Sequence, residues 1–301
     1  MRFVSCDWGT THFRLRWAGG TDAVAEVRTD EGAAKLAAAG GDRAAMFRET
    51  LARGLEQLGA PADMPVVVSG MASSTIGWRE LPYARLPFAL DGRDVVSCCL
   101  DGRVHLVSGV RGERDIMRGE ETQALGLATS LGAALPAEAT FLLPGTHSKH
   151  LEVRDGAVTG LTTWMTGELF DVLTRHSVLR HTTDAKAPTD REGFVEGVDA
   201  ARGGHLTAML FQARTRQVLD QRSPASNAGF LSGLLIGAEL AGLSRDGRPV
   251  VLAAGPPLSE AYALAAQVLG FGDRMRIVAS GPLSAIGQAV VLRRLQGGVR
   301  A

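Results

Sequence analysis

"VSCDWGTTHFRLRWAGG", residues 4–20, runs an apolar strand into Asp7, Trp8, Gly9, Thr10 and Thr11 and then resumes as a second strand. A plain two-residue hairpin favours Asn-Gly or Asp-Gly at its tip. This turn gathers a carboxylate, a glycine and two hydroxyls instead, a donor set suited to a metal and a phosphate. The same residues also fit a hairpin whose polar side chains satisfy one another. The rest of the chain has to decide between the two.

The chain has 301 residues, 45% of them hydrophobic and 21% charged, enough to bury the core of one large domain or two ordinary ones. Its 32 basic and 32 acidic residues cancel, so no overall charge favours nucleic acid or an anionic membrane. Aromatics make up only 5%, too few for a base-stacking platform. The three cysteines, Cys6, Cys98 and Cys99, have no CxxC spacing and read as reduced thiols, with the adjacent pair expected in a buried strand. The chain begins directly in strand sequence without a signal-peptide pattern. It holds no apolar run of the roughly 18 residues that a membrane span needs. These features point to a cytoplasmic protein with small-molecule partners, with neither nucleic acid nor membrane among them. Self-association as a homo-oligomer stays open.

Moving outward, residues 2–6, 13–18 and 23–29 read as strands. Residues 42–58 read as a helix, with Asp42 as N-cap and a stripe of Ala45, Phe47, Leu51, Leu55 and Leu58. Pro65 introduces Val66, Val67 and Val68, and this run breaks into a small-residue loop at residues 69–74, the place where α/β domains usually contact ligands. Residues 120–131 read as a helix. A second cycle follows: an apolar strand at residues 141–143, a turn with Gly145, Thr146 and Ser148, a returning strand at residues 150–153, then an Asp-Gly hairpin. Helices are expected within residues 192–220 and 227–242, where Gly229, Gly233 and Gly237 permit close helix packing. "AAGPP" at residues 253–257 ends a buried strand, and a strand and helix close the chain. Two hydroxyl-rich strand turns suggest two similar α/β halves, residues 1–132 and 133–301.

"CDWGTTHFRLR", "SGMASSTIGWRE", "GVRGERDIMRGEETQALG" and "LLPGTHSKH…WMTGELFDVL", in this order, resemble the 2-keto-3-deoxy-galactonokinase family, within the sugar kinase/actin/Hsp70 ATPase superfamily. The resemblance implies an α/β, two-domain actin-like ATPase (ribonuclease H-like) fold, each domain a mixed sheet with flanking helices. It also implies ATP and Mg²⁺, and phosphorylation of the 6-hydroxyl of 2-dehydro-3-deoxy-D-galactonate in galactonate catabolism, its product passing to an aldolase.

Phosphoryl transfer depends on positioning and charge stabilisation. Asp7 is expected to hold Mg²⁺ through water. Gly9 would let the backbone approach phosphate, and Thr10 and Thr11 would donate to it. Gly145, Thr146, His147, Ser148 and Lys149 form the second candidate phosphate loop, although His147 and Lys149 also suit an ordinary surface. The resemblance places Gly255, Pro256 and Pro257 against adenosine. A sugar-acid carboxylate favours arginine, and Arg111, Arg114 and Arg118 cluster; taken without the resemblance, surface ion pairs with Glu113 and Asp115 are the commoner explanation of such a cluster. Ser69, Gly70, Ser73 and Ser74 are candidate acceptor contacts, with Arg79 and Trp164 weaker ones. For the general base, Glu121, Asp115, Glu120 and Glu168 are candidates in that order; a helix-start glutamate is also favoured by the macrodipole alone. Two rival readings remain: a polyphosphate or nucleotide hydrolase of the same fold, and an ATP-binding sugar sensor without a working base.

Overall fold

The computed structural model describes residues 2–18, 25–243 and 247–297. The chain folds as two compact units, one of Met1–Ala137, Leu151–Leu161 and Ala279–Ala301, the other of Glu138–His150 and Thr162–Val278. The second half of the sequence therefore contributes a hairpin and the final helix to unit 1, so a single cut between residues 132 and 133 does not describe the units.

Unit 1 opens with β1 (Phe3–Trp8), β2 (Phe13–Ala18) and β3 (Glu26–Thr29), then α1 (Ala33–Ala38) and α2 (Arg43–Leu58). The expected strand at residues 23–29 is thus seen from Glu26, with its first two residues outside those described. Next come β4 (Val66–Gly70), β5 (Ala84–Arg85), β6 (Phe88–Ala89), β7 (Ser97–Cys99), β8 (Val104–Val107), β9 (Val110–Arg111), β10 (Ile116–Met117) and α3 (Glu120–Leu131). The main sheet runs β3-β2-β1-β4-β8-β7, with β1, β4 and β8 parallel at its centre and antiparallel strands on both flanks. All five residues of β4 are buried, as a central parallel strand covered on both faces requires. Strand β7 lies at the sheet edge, so Cys98 is half-buried against the core while Cys99 points to solvent. This corrects the expectation that both are buried: alternation along an edge strand exposes one of them.

The helix signals in unit 1 work as the sequence suggests. Asp42 accepts from the Ala45 amide at 3.1 Å to start α2, and Gly59 at φ 67° ends it in the left-handed region. Helix α1 has no side-chain cap and was not expected; its first amides are held by the neighbouring loop, as described below.

Unit 2 contains β11 (Glu138–Leu143), the start of β12 (Ser148–Arg154) and the end of β13 (Ala157–Trp164). Asp155 and Gly156, at φ 48° and 72°, turn the β12–β13 hairpin, which runs into unit 1, where Ala157 and Val158 pair with β6. Then follow α4 (Thr166–His176), α5 (Arg191–Ala201), α6 (Leu206–Leu210), α7 (Gln212–Asp220), α8 (Pro224–Leu240), β14 (Val250–Ala253), α9 (Leu258–Val268) and β15 (Met275–Val278). Strands β11, β14 and β15 are parallel. The helical stretch expected across residues 192–220 is broken around Gly203 and Gly204 and again at Phe211 into three helices. Helices α5 and α8 pack backbone to backbone: a Cβ on Gly233 would lie 1.9 Å from the Phe194 carbonyl oxygen. Among the described residues, no helix is long and apolar enough to cross a membrane.

The last helix, α10 (Leu283–Gly297), packs on α3 inside unit 1 through the same device. A Cβ on Gly126 would meet the Leu283 oxygen at 2.0 Å, and one on Gly287 the Thr122 oxygen at 1.8 Å. Neither obstacle is a flexible side chain, so the helices must separate to admit a methyl group. Gly287→Ala is expected to lower stability by about 1–3 kcal/mol, the usual range for overpacking. Urea unfolding followed by circular dichroism measures it.

Candidate active site

In unit 1 the register of β1 sets Asp7 between Ser69 of β4 and Arg14 of β2, and Trp8 between Gly70 and Phe13. Asp7 is half-buried. Burial pushes its carboxyl above the usual carboxylate range, and the Arg14 and Arg16 guanidinium groups pull it back down. Trp8 anchors the strand end: it is fully buried, its ring lies 4.4 Å from Phe13 and 4.5 Å from Phe47, and its indole N–H donates to the Glu31 carbonyl at 3.0 Å.

The loop after Trp8 is tied down through its backbone. The Gly9 amide donates to the His12 oxygen at 2.9 Å. The Gly9 and Thr10 oxygens accept from the Ala33 and Ala34 amides, each at 3.0 Å, and the Thr11 oxygen accepts from Gly32 at 3.2 Å. The loop carbonyls thus satisfy amides that the start of α1 leaves open. The Thr10 and Thr11 side chains stay exposed, and neither hydroxyl has a protein partner among the described residues. Gly32, which sequence reasoning missed, makes this contact possible: a Cβ there would lie 2.3–2.6 Å from backbone atoms of Thr10, Thr11 and His12.

The serines of the loop after β4 have hydrogen-bond partners within unit 1. Ser69 is buried, and its hydroxyl accepts from Gln288 at 2.8 Å and lies 3.4 Å from the Thr122 hydroxyl. Ser73 accepts from the Arg118 guanidinium at 2.5 Å, and Ser74 donates to the Met71 oxygen at 2.7 Å. These three hydroxyls are engaged inside the unit. Arg118 is likewise fixed, over the Tyr83 ring at 4.1 Å and on the Ser73 oxygen at 2.7 Å. Arg111, Arg114 and Arg79 are exposed. Asp115 accepts from the Ile116 amide at 2.7 Å, closing its own turn.

The two glutamates at the start of α3 separate clearly. Glu120 is half-buried and accepts from the Arg118 amide at 2.9 Å. Glu121 is 1% exposed; its Oε2 accepts from the Gly119 amide at 2.6 Å, and its Oε1 is buried without a hydrogen-bond partner among the described residues. Burial, reinforced by the Glu120 charge, raises its carboxyl from 4.5 to about 8. Gly119 and Gly70, both at positive φ, face each other beside it: a Cβ on Gly119 would stand 3.5 Å from the Gly70 Cα.

In unit 2 the turn at residues 144–147 leans on the start of α4. The Glu168 amide donates to the Thr146 oxygen at 3.0 Å, and a Cβ on Gly167 would lie 2.5 Å from the Gly145 oxygen. His147 pairs through Nε2 with the Glu168 carboxylate, both partly exposed. Lys149 is buried and donates to the Thr163 hydroxyl at 2.8 Å, so it is no surface lysine. Ser148 is buried and lies 3.1 Å from the Tyr262 hydroxyl. Trp164 packs 5.5 Å from His150, with its indole nitrogen buried and unpartnered among the described residues. After β14, the Gly255 and Pro257 oxygens accept from Ser259 and Ala261 and start α9.

A cavity of about 220 Å³ opens beside this turn, lined by Gly145, Gly167, Phe170, Gly229, Leu258 and Tyr262 among others. Of the "AAGPP" region it takes the wall from Leu258, just beyond Pro257. Apart from Thr166 of α4, the remaining lining residues come from 184–189 and α8, and the sequence analysis named none of them as ligand contacts.

Each unit carries a strand-end turn with an exposed threonine hydroxyl, unit 1 also a buried carboxyl and unit 2 a mainly apolar cavity, features in keeping with the class of α/β ATPase-type phosphotransferases. The fold agrees: the ADPNP-bound activator of the 2-hydroxyisocaproyl-CoA dehydratase from Clostridium difficile superposes with a TM-score of 0.54 at 13% identity, covering 100% of this chain and 99% of that one. The model of the 2-keto-3-deoxy-galactonokinase family matches residues 7–286, and the chain belongs to that family. It is 38% identical over 254 residues (80% of this chain, 79% of the relative) to the Rhizobium meliloti (strain 1021) protein named "Probable 2-dehydro-3-deoxygalactonokinase DgoK1". To 2-dehydro-3-deoxygalactonokinase of Escherichia coli (strain K12) it is 30% identical over 285 residues, 89% of this chain and 90% of that one. A crystal structure of a candidate 2-dehydro-3-deoxygalactonokinase from Sinorhizobium meliloti matches with a TM-score of 0.82 at 33% identity, covering 97% and 99% of the two chains. The protein is a sugar-acid kinase of the actin-like ATPase fold, with ATP as substrate.

Gly32→Ala is expected to push the first loop off α1. Hydrogen exchange read by mass spectrometry should show faster exchange at residues 32–36 and at the loop itself, with the α2 amides unchanged.

Proposed function

We propose that this kinase transfers the γ-phosphoryl group of ATP to the 6-hydroxyl of 2-dehydro-3-deoxy-D-galactonate, giving the 6-phosphate and ADP, within galactonate breakdown. Support for the substrate comes from the curated relatives that carry this name. The observation that carries the chemistry is the Glu121 carboxyl, buried with one oxygen unpartnered at the start of α3.

Glu121 is the general base in this reading. Its unpartnered Oε1 takes the proton of the sugar hydroxyl as that oxygen bonds to the γ-phosphorus and the bridging bond to ADP breaks. Glu120, accepting from the Arg118 amide, remains a charge that raises its neighbour. Thr10 and Thr11 donate to phosphate oxygens, as do Thr146 and His147 of the second turn, while the cavity beside Gly145 takes adenosine. Exposed Arg111 and Arg114 are free to grip the sugar-acid carboxylate; Arg118 and the serines after β4 shape that region from beneath.

The residues around Asp7 fit Mg²⁺. A half-buried carboxylate near the end of β1, followed in the next turn by two exposed hydroxyls, is the sparse protein contribution this ion takes, alongside phosphate oxygens and water. When bound, Mg²⁺ supplies charge neutralisation of the phosphates. Asp7→Asn is expected to lower kcat/KM for ATP at least a hundredfold, and full activity in that variant would remove the assignment.

The test measures ADP release from Mg-ATP with the galactonate compound, with its gluconate epimer and without acceptor. Stimulation by the galactonate compound is expected; equal rates in all three would favour a hydrolase. The base is tested through pH. Only ionised Glu121 accepts a proton, so kcat should rise toward pH 8, and Glu121→Gln should lower it about 10²–10⁴-fold. Between the ordinary glutamate value of 4.5 and about 8, the folded protein holds a proton that the unfolded chain has released. Stability is therefore lost as pH rises through that window. The Tm of Glu121→Gln should consequently gain on that of the wild type from pH 5 to pH 8.

A further inference from the structure

Helix α8 carries one charged side chain, Glu239, and it is 1% exposed. Three donors from three other elements converge on it. His150 Nε2 of β12 meets Oε1 at 3.0 Å, and the Tyr262 hydroxyl of α9 meets Oε2 at 2.8 Å; the Thr166 hydroxyl at the start of α4 also donates to Oε2. The donor inventory fixes the direction of the next link. Tyr262 has one hydroxyl hydrogen and gives it to Glu239, so the 3.1 Å contact with Ser148 is made by the serine donating to the tyrosine oxygen. The Ser148 oxygen in turn accepts from the Gly145 amide at 3.4 Å. Read in order, Gly145 N–H, Ser148 O–H and Tyr262 O–H form a chain that ends on the Glu239 carboxylate.

We propose that Glu239 is the positioning residue of the second phosphate turn, holding residues 145–148 in place through Tyr262 and Ser148, and the start of α4 through Thr166. The inference rests on the reading of that turn as the site of the nucleotide phosphates. It explains why Ser148 is buried in a loop whose sequence suggested ligand contact. It also accounts for an acid inside an otherwise uncharged helix. An amide in its place loses the negative charge, and its NH₂ group finds a partner only where His150 Nε2 turns from donor to acceptor. A hydrogen-bond chain of this kind is high-stakes, because one wrong member leaves several buried groups unmatched.

The test compares the affinities of ADP and of adenosine, by titration calorimetry on the full chain, for wild type, Glu239→Gln, Tyr262→Phe and Thr146→Ala. Tyr262→Phe removes one oxygen, keeps the ring and leaves Glu239 two of its donors, so it carries the test if Glu239→Gln does not fold. The expected result in all three variants is a loss of ADP affinity about tenfold larger than the loss of adenosine affinity, a ratio in which any direct effect of Tyr262 on the adenosine cavity that it lines cancels. If Thr146→Ala weakens ADP while Glu239→Gln and Tyr262→Phe do not, the positioning role is overturned and the turn remains the phosphate site. Equal weakening of ADP and adenosine would make Glu239 a residue of general stability and also overturn it. If no variant alters ADP affinity, the reading of the turn falls, and this inference with it.

Discussion

The parallel pairing of β1 with β4 is the constraint from which the unit 1 site follows. It puts Asp7 level with Ser69 and Trp8 level with Gly70, so both strands release their chain at one height. Gln288 of α10 reinforces the pairing from below, donating to the Cys6 oxygen at 2.9 Å and to the Ser69 hydroxyl at 2.8 Å. A buried amide that bridges two strands and a helix fixes their spacing more sharply than apolar contact does, since hydrogen bonds weaken steeply with misalignment. Gly70, at φ 92° with no room for a Cβ beside the Trp8 oxygen, then lets the chain turn away next to Gly119. The position of Glu121 depends on all of these.

Three acids sit in three environments, and the environments assign their work. Asp7 is half-buried with arginines across the sheet, which suits a carboxylate beside a cation. Glu121 is buried with little compensation, which holds its proton into the range where a base can exchange it. Glu239 is buried and met by three donors, so it serves as a fixed acceptor. In the proposed mechanism the same carboxyl chemistry would thus serve as a metal contact, a proton acceptor and a structural hub.

Much of the fold was legible in the sequence. Val66, Val67 and Val68 behind Pro65, Asp42 ahead of a helical stripe, and Asp155-Gly156 between two strands each carry a local physical signal, and each forms the element it predicts. The first turn was legible as a turn, and its Thr10 and Thr11 side chains stand exposed as a strand-end loop allows. What sequence could not supply was direction. Ser69, Ser73 and Ser148 carry the same hydroxyl as Thr10, but their neighbours in space, Gln288, Arg118 and Tyr262, lie 45 to 219 residues away and claim them. Gly32 and Gly167 were invisible because a missing Cβ matters only once the opposing backbone is known. A faint sign did exist for Glu239 and Gln288, each a polar residue inside an apolar helical stretch.

The bond from Gln288 to Cys6 spans 282 residues. During synthesis, β1 and β4 emerge more than two hundred residues before the amide that locks them together and the helix that covers α3. Unit 2 is nearly continuous in the chain and contains its own parallel strands and helices. It can close while unit 1 still waits for its final element, reversing the usual order in which the N-terminal part of a chain folds first. Until residue 288 leaves the ribosome, the Ser69 hydroxyl and the buried faces of β1 and β4 lack their cover. The newborn chain is therefore most exposed to misfolding and to chaperone capture in its oldest segment.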